Sequence, residues 1–81
     1  MKKQNNTLRR ALHPMPKALK ELLIARSVWD AYRARPPYQR NDYLGWITRA
    51  KLELTKEKRT GQMLEELKQG DRNMKMKWKP R

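Results

Sequence analysis

Apolar residues in the first half of the chain lie on two short helical stripes that are out of phase with each other. In order along the chain they are Leu19, Leu22 and Leu23, and then Ala25, Val28, Trp29 and Tyr32. Residues three and four apart share one face of an α-helix, so each group predicts a short amphipathic helix. Pro16 suits the first turn of the first helix, and Ser27 with Asp30 matches the capping box that begins a second one. The pair Pro36–Pro37 then ends the second helix.

The second half of the chain predicts two further helices. The third stripe consists of Tyr43, Trp46, Ile47 and Ala50, and the fourth of Thr60, Met63, Leu64 and Leu67. We expect the third helix to begin near Tyr38. Leu52 falls on the opposite side from the third stripe, so a turn is predicted through residues 52–54, with Thr55 as the N-cap of the last helix. Gly70 is well placed to end that helix.

These patterns predict an all-α fold, a small bundle of about four short helices over residues 16–70. Residues 1–15 are expected to be a basic, mostly disordered lead-in, and residues 71–81 a basic tail that contains Met and Trp. In this tail Met74, Met76 and Trp78 alternate with lysines. Alternation suits a strand and a disordered arm equally, and we expect a mobile, solvated terminus rather than a β-hairpin.

The net charge of the chain is +13, and its distribution is uneven. Residues 1–15 and residues 71–81 each carry a net +4, whereas the much longer middle carries only +5. The ends would therefore attract polyanions without selecting a sequence. The candidate polyanion contacts are Lys2, Lys3, Arg9, Arg10, Lys75, Lys77, Trp78 and Lys79. The other aromatic residues lie on the apolar stripes and are expected to belong to the core.

No catalytic, metal-binding or cofactor-binding motif is present. His13 is expected to be exposed to solvent, and no Cys is available as a nucleophile or thiolate ligand. The carboxylates of Glu53 and Glu57, like the pair Glu65–Glu66, are expected to form solvated ion pairs with nearby lysines. The longest apolar run, residues 22–25, is far too short to span a bilayer. We therefore expect a cytoplasmic protein that is not transmembrane, not an enzyme and without a cofactor.

Two stretches of the sequence resemble a known family. MPKALKELL and YLGWITRAKLELTKEKRTGQMLEELKQG are similar to the helical module of the bacteriocin-protection, YdeI/OmpD-associated family, over roughly residues 15–70. The family-motif residues, structural or part of a partner surface, are Tyr43, Trp46, Ile47, Ala50, Lys51, Thr55 and Arg59. Lys56 and Thr60 depart from the pattern, which has Arg and an aliphatic residue there. Many members also have an N-terminal β-rich domain, which these residues do not include, so no ligand site of that domain is carried over.

The resemblance implies an α-helical module linked to protection against bacteriocins or antimicrobial peptides, and it implies no catalytic residue. We expect the chain to act through an unknown protein partner, as a monomer or weak oligomer. Direct capture of a cationic peptide is disfavoured by the net charge. Arg59 is expected either to brace the bend by pairing with a glutamate or to meet a ligand. The alternative function is that of a non-specific nucleic-acid-binding accessory protein, which would bind weakly and salt-sensitively through its basic arms.

Overall fold

The structure, a computed structural model, describes residues 12–78, which form four helices and one short hairpin. The helices are α1 (Lys17–Ala25), α2 (Trp29–Ala34), α3 (Pro37–Thr48) and α4 (Glu53–Gln69). The strands are β1 (Arg72–Asn73) and β2 (Met76–Lys77), which pair antiparallel with Arg72 opposite Lys77 and Asn73 opposite Met76. The small, mostly α fold expected from the sequence is confirmed. The hairpin was not expected.

All four helices contribute to a single apolar core. Its buried members are Leu19, Leu23, Val28, Tyr32, Tyr43, Leu44, Ile47, Met63 and Leu67. Most of them lie on the predicted stripes, whereas Leu44 was missed because it follows Tyr43 directly and belongs to a different face. Trp29 and Trp46, also expected in the core, pack half-buried at its margin. The core is therefore built mainly from aliphatic side chains and two tyrosines.

The junction between α1 and α2 is formed by the end of one helix and not by a cap on the next. The amide of Val28 donates to the carbonyl of Leu23, and the amide of Ser27 to that of Ile24. Ser27 has a φ of 61°, so these two bonds make the left-handed Schellman ending of α1. The expected capping box is wrong, because α2 begins after Val28 and no side chain caps it.

The bend between α3 and α4 comes earlier than predicted, because the N-cap of α4 is Leu52, three residues before Thr55. Pro37 is the first residue of α3, where its fixed φ is already helical. That helix ends at Thr48, so Ala50 and Lys51 lie in the connection. The predicted turn through residues 52–54 and the cap at Thr55 are wrong. Helix α4 begins at Glu53, whose carboxylate in the first turn interacts favourably with the helix dipole.

The segment before α1 packs on α3. The amide of His13 donates to Oδ1 of Asn41 at 2.8 Å, and the imidazole lies against Gly45. A Cβ atom at position 45 would be only 2.6 Å from Nε2 of His13, so glycine makes this approach possible. His13 is half-buried, and the expectation of a solvent-exposed histidine is wrong. Residues 1–11 and 79–81 lie outside the described residues, and the division of the chain after residues 15 and 70 stays a prediction.

Two glycines of α4 allow a paired test of its backbone. Gly61 lies within the helix with no neighbouring atom within 4 Å of the place a Cβ would take, whereas Gly70 ends the helix with a φ of 88°. We expect Gly61→Ala to raise the free energy of unfolding by about 1 kcal/mol, because alanine favours the helix. Gly70→Ala should lower it by about 1 kcal/mol, because a Cβ is strained in the left-handed region.

Chemical unfolding of both variants, followed by far-ultraviolet circular dichroism, measures these changes. Shifts in the same direction for the two variants would contradict the assignment of one glycine to the helix interior and the other to its end.

Candidate functional site

The family-motif residues of the sequence meet where α3 ends and α4 begins. Ile47 and Ala50 are buried, and Trp46 is half-buried beside them. Nη1 of Arg59 on α4 donates to the carbonyl oxygen of Trp46 at 2.6 Å, and its guanidinium lies 5.3 Å from the centre of the Trp46 ring. A cation at the last turn of a helix satisfies a free carbonyl and opposes the helix dipole. Arg59 thus braces the bend through a carbonyl and a ring of α3, and not by pairing with a glutamate, which was one of the two alternatives expected.

The other motif residues are distributed between interior and surface. Tyr43 is completely buried, Thr55 is half-buried in the first turn of α4, and Lys51 is exposed in the connection. Most of the motif is therefore part of the packing between α3 and α4. Lys51 remains available to a partner.

A cluster of buried polar side chains lies nearer the N-terminal end of α3, and the sequence did not predict it. Arg35 follows α2 and is only 4% exposed. Its Nη1 donates to Oε1 of Gln39 at 2.9 Å, and its Nη2 to the backbone carbonyl of Glu66 at 3.0 Å. The ring of Trp78 covers the guanidinium, with its centre 4.4 Å away. One arginine therefore joins α2, α3, α4 and the residue after the hairpin.

The carboxylate of Glu66 is the second centre of this cluster, and it is 5% exposed. Oε1 accepts hydrogen bonds from the Tyr43 hydroxyl and from the amide of Met74 at 2.8 Å. Oε2 accepts from the amide of Lys75 at 2.7 Å and from Nε2 of Gln62 at 3.1 Å. The solvated ion pair expected for Glu66 is therefore wrong, because its oxygens are bonded inside the protein.

These bonds explain the conformation of the hairpin turn. Met74 and Lys75 have φ values of 55° and 69°, in the left-handed region that non-glycine residues rarely adopt. Two successive amides in this conformation form a concave site that binds an anion, and the Glu66 carboxylate occupies it. Residues 71–78 thus pack on α4, where the sequence favoured a mobile terminus.

Glu66, Gln39 and Arg35 could have been partly recognised from the sequence. Glu66 lies three residues after Met63, so it borders the buried stripe of α4. Gln39 likewise precedes Tyr43 by one helical turn. A polar side chain on an apolar stripe signals a buried hydrogen-bonded group. Nothing comparable marks Arg35, whose partners lie on other elements.

The exposed carboxylates line a surface recess. Glu53 and Glu57 lie beside Lys56 along an open recess of about 390 Å³ between α1 and α4. Both glutamates are exposed. Among residues 12–78 no group of three or more acidic or histidine side chains could hold a metal ion. Within the same residues no helix is both long and apolar enough to cross a membrane.

The candidate polyanion contacts lie only partly within the described residues. Lys75 and Lys77 are exposed on the hairpin, and Trp78 is half-buried against Arg35. Lys2, Lys3, Arg9, Arg10 and Lys79 lie outside the described residues. Their contact with polyanions stays a prediction.

Comparison with known proteins identifies the family of the chain. A family model described as bacteriocin-protection, YdeI or OmpD-associated matches residues 13–70, well over half of the sequence. The chain belongs to this family. No curated protein and no solved structure matches it. The match to the bacteriocin-protection family covers all four helices and Glu66, and it ends at Gly70, just before the hairpin that Glu66 holds.

Removal of the Glu66 carboxylate tests whether it holds the hairpin. We expect Glu66→Ala to lower the free energy of unfolding by about 3 kcal/mol or more, because several buried donors lose their acceptor. Glu66→Gln should cost less, because its amide retains one oxygen. The amides of Met74 and Lys75 should exchange hydrogen faster in both variants. Glu65→Ala is the matched control, because Glu65 is the next residue in α4 and its carboxylate is exposed. Equal losses for positions 65 and 66 would refute this role.

The buried tyrosines predict how stability depends on alkaline pH. Burial, together with the hydrogen bond to and the negative charge of Glu66, raises the pKa of Tyr43, and burial raises the pKa of Tyr32. The folded protein therefore keeps both protons at a pH where the unfolded chain, with tyrosine pKa values of about 10, loses them. Their contribution to stability is fully present below about pH 10 and is lost as the pH rises further.

When the pH is raised from neutral to above about 10, the free energy of unfolding should fall less for Tyr43→Phe than for the wild type. The double variant Tyr32→Phe/Tyr43→Phe should lose the least. Urea unfolding at a series of pH values measures this, and parallel pH profiles for the three proteins would contradict it.

Proposed function

We propose that the chain is a non-enzymatic helical module of the bacterial cytoplasm, which acts through a protein partner in resistance to bacteriocins, antimicrobial peptides or related stress. Membership of the bacteriocin-protection, YdeI or OmpD-associated family supports this process. The family description is the observation that carries the proposal.

The buried cluster supports a binding role over a catalytic one. A general acid or base must reach a substrate proton, directly or through one water molecule. The carboxylate of Glu66 is instead bonded by Tyr43, Gln62 and the hairpin turn, and Arg35 is bonded by Gln39 and covered by Trp78. These groups stabilise the fold, and the exposed surface is left to make contact with a partner.

Charge supports an indirect form of protection. At a net charge of +13 the chain repels a cationic peptide at long range. A protein that binds another component of the cell would protect without meeting the peptide. Such a module acts stoichiometrically, so protection should rise with the amount of folded chain present.

Survival of bacteria under bacteriocin challenge tests this function. Cells that lack the gene should survive less well, and expression of the wild type or of Glu65→Ala should restore survival in proportion to the protein level. Glu66→Ala, at a matched protein level, should restore less, because the fold is weakened. Equal survival with and without the gene would refute the proposal.

A further inference from the structure

Arg72 and Lys77 face each other across the hairpin. Directly opposed side chains of an antiparallel pair lie close together on one face, and like charges there are unfavourable. Within residues 12–78 neither side chain has an ion-pair partner. Asp71, the acidic residue of this segment, is exposed and precedes Arg72 in the chain. A bound anion in contact with both bases would remove the repulsion.

The turn of the hairpin presents further basic and apolar side chains from a fixed backbone. Met74 and Lys75 have a left-handed backbone conformation, which persists in non-glycine residues when their surroundings enforce it. The Glu66 carboxylate enforces it through the two amides of the turn. Lys75, Met76 and Lys77 are nevertheless exposed, so the interior fixes a segment whose side chains add little to the core.

An aromatic ring is held at the base of the same hairpin. The amide of Trp78 donates to the carbonyl of Asp71 at 2.9 Å, which extends the strand pairing by one step. The ring lies on the guanidinium of Arg35, which is itself fixed by two hydrogen bonds. Trp78 is only half-buried, so part of the ring remains accessible.

We propose that the hairpin of residues 72–77, together with Trp78, binds single-stranded nucleic acid. Arg72 and Lys77 contact the phosphates, and Lys75 at the turn continues the basic track. The accessible part of the Trp78 ring stacks on a base. A single strand offers phosphates and unpaired bases together, whereas an acidic peptide would use the charges and leave the ring without a partner. The proposal does not rest on the role in bacteriocin resistance, and binding can be measured on the purified protein alone.

Fluorescence anisotropy of a labelled oligothymidylate, titrated with the full chain across a salt series, tests the proposal. Arg72→Glu should weaken binding about fivefold or more and reduce the slope of log affinity against log salt by about 0.7, the value for one phosphate contact. The same change converts a like-charge pair into an opposite-charge pair, so the melting temperature should stay equal or rise. Lys58→Glu, exposed on α4, has the same change in net charge and should weaken binding less than about twofold.

The ring is tested separately from the charges. Trp78→Leu should weaken binding about fivefold or more and leave the salt slope unchanged, because stacking is lost and no phosphate contact is removed. Trp78→Phe should restore most of the affinity. Circular dichroism should show that both variants are folded as the wild type is.

Several results would overturn the proposal. The first is the absence of oligothymidylate binding at low salt, and the second is an equal loss of affinity for Arg72→Glu and Lys58→Glu. The third is tighter binding to a duplex than to the single strand, with no loss of duplex affinity in Trp78→Leu. The fourth is binding to phosphatidylglycerol vesicles without binding to the oligonucleotide. Bacteriocin survival of cells that carry Arg72→Glu separates the two proposals, because normal survival with lost binding leaves the resistance role intact.

Discussion

The carboxylate of Glu66 accepts hydrogen bonds from α3, from α4 and from the two amides of the hairpin turn. A carboxylate without partners is very unfavourable in a protein interior, and two non-glycine residues are unfavourable in a left-handed turn. The hydrogen bonds from the turn amides satisfy the carboxylate, and the carboxylate in turn stabilises the left-handed turn. Tyr43 and the hairpin therefore favour the packing of α4 with this face inward. Much of the tertiary structure follows from that coupling.

Local sequence patterns were sufficient for the helices and insufficient for this coupling. Met63 and Leu67, or Tyr43 and Ile47, share a helix face through their spacing alone, which is why the core was largely predicted. Ser27 was misassigned because a polar residue between two helices can either begin one or end the other. The bond between Arg35 and Glu66 joins residues 31 positions apart, and no local pattern encodes it. The hairpin was missed for the same reason, since its turn is stabilised by a side chain of α4 and not by glycine.

Interior and surface have different tasks in this member of the bacteriocin-protection family. Trp46 and Arg59, two residues of the motif, join the end of α3 to α4. Similarity in this motif therefore reports mainly a shared way of packing helices, and Lys51 is its exposed member. The exposed bases of the hairpin lie outside this motif.

The residues that the family model matches and the residues that pack together are not the same in this chain. The family match ends at Gly70, yet the buried carboxylate of Glu66 obtains two of its donors from Met74 and Lys75, and Arg35 obtains its cover from Trp78. The segment that the family model matches is thus shorter than the segment that these buried contacts join. The family match therefore ends inside a hydrogen-bonded unit, in which residues 71–78 act as an intramolecular ligand of the helical module.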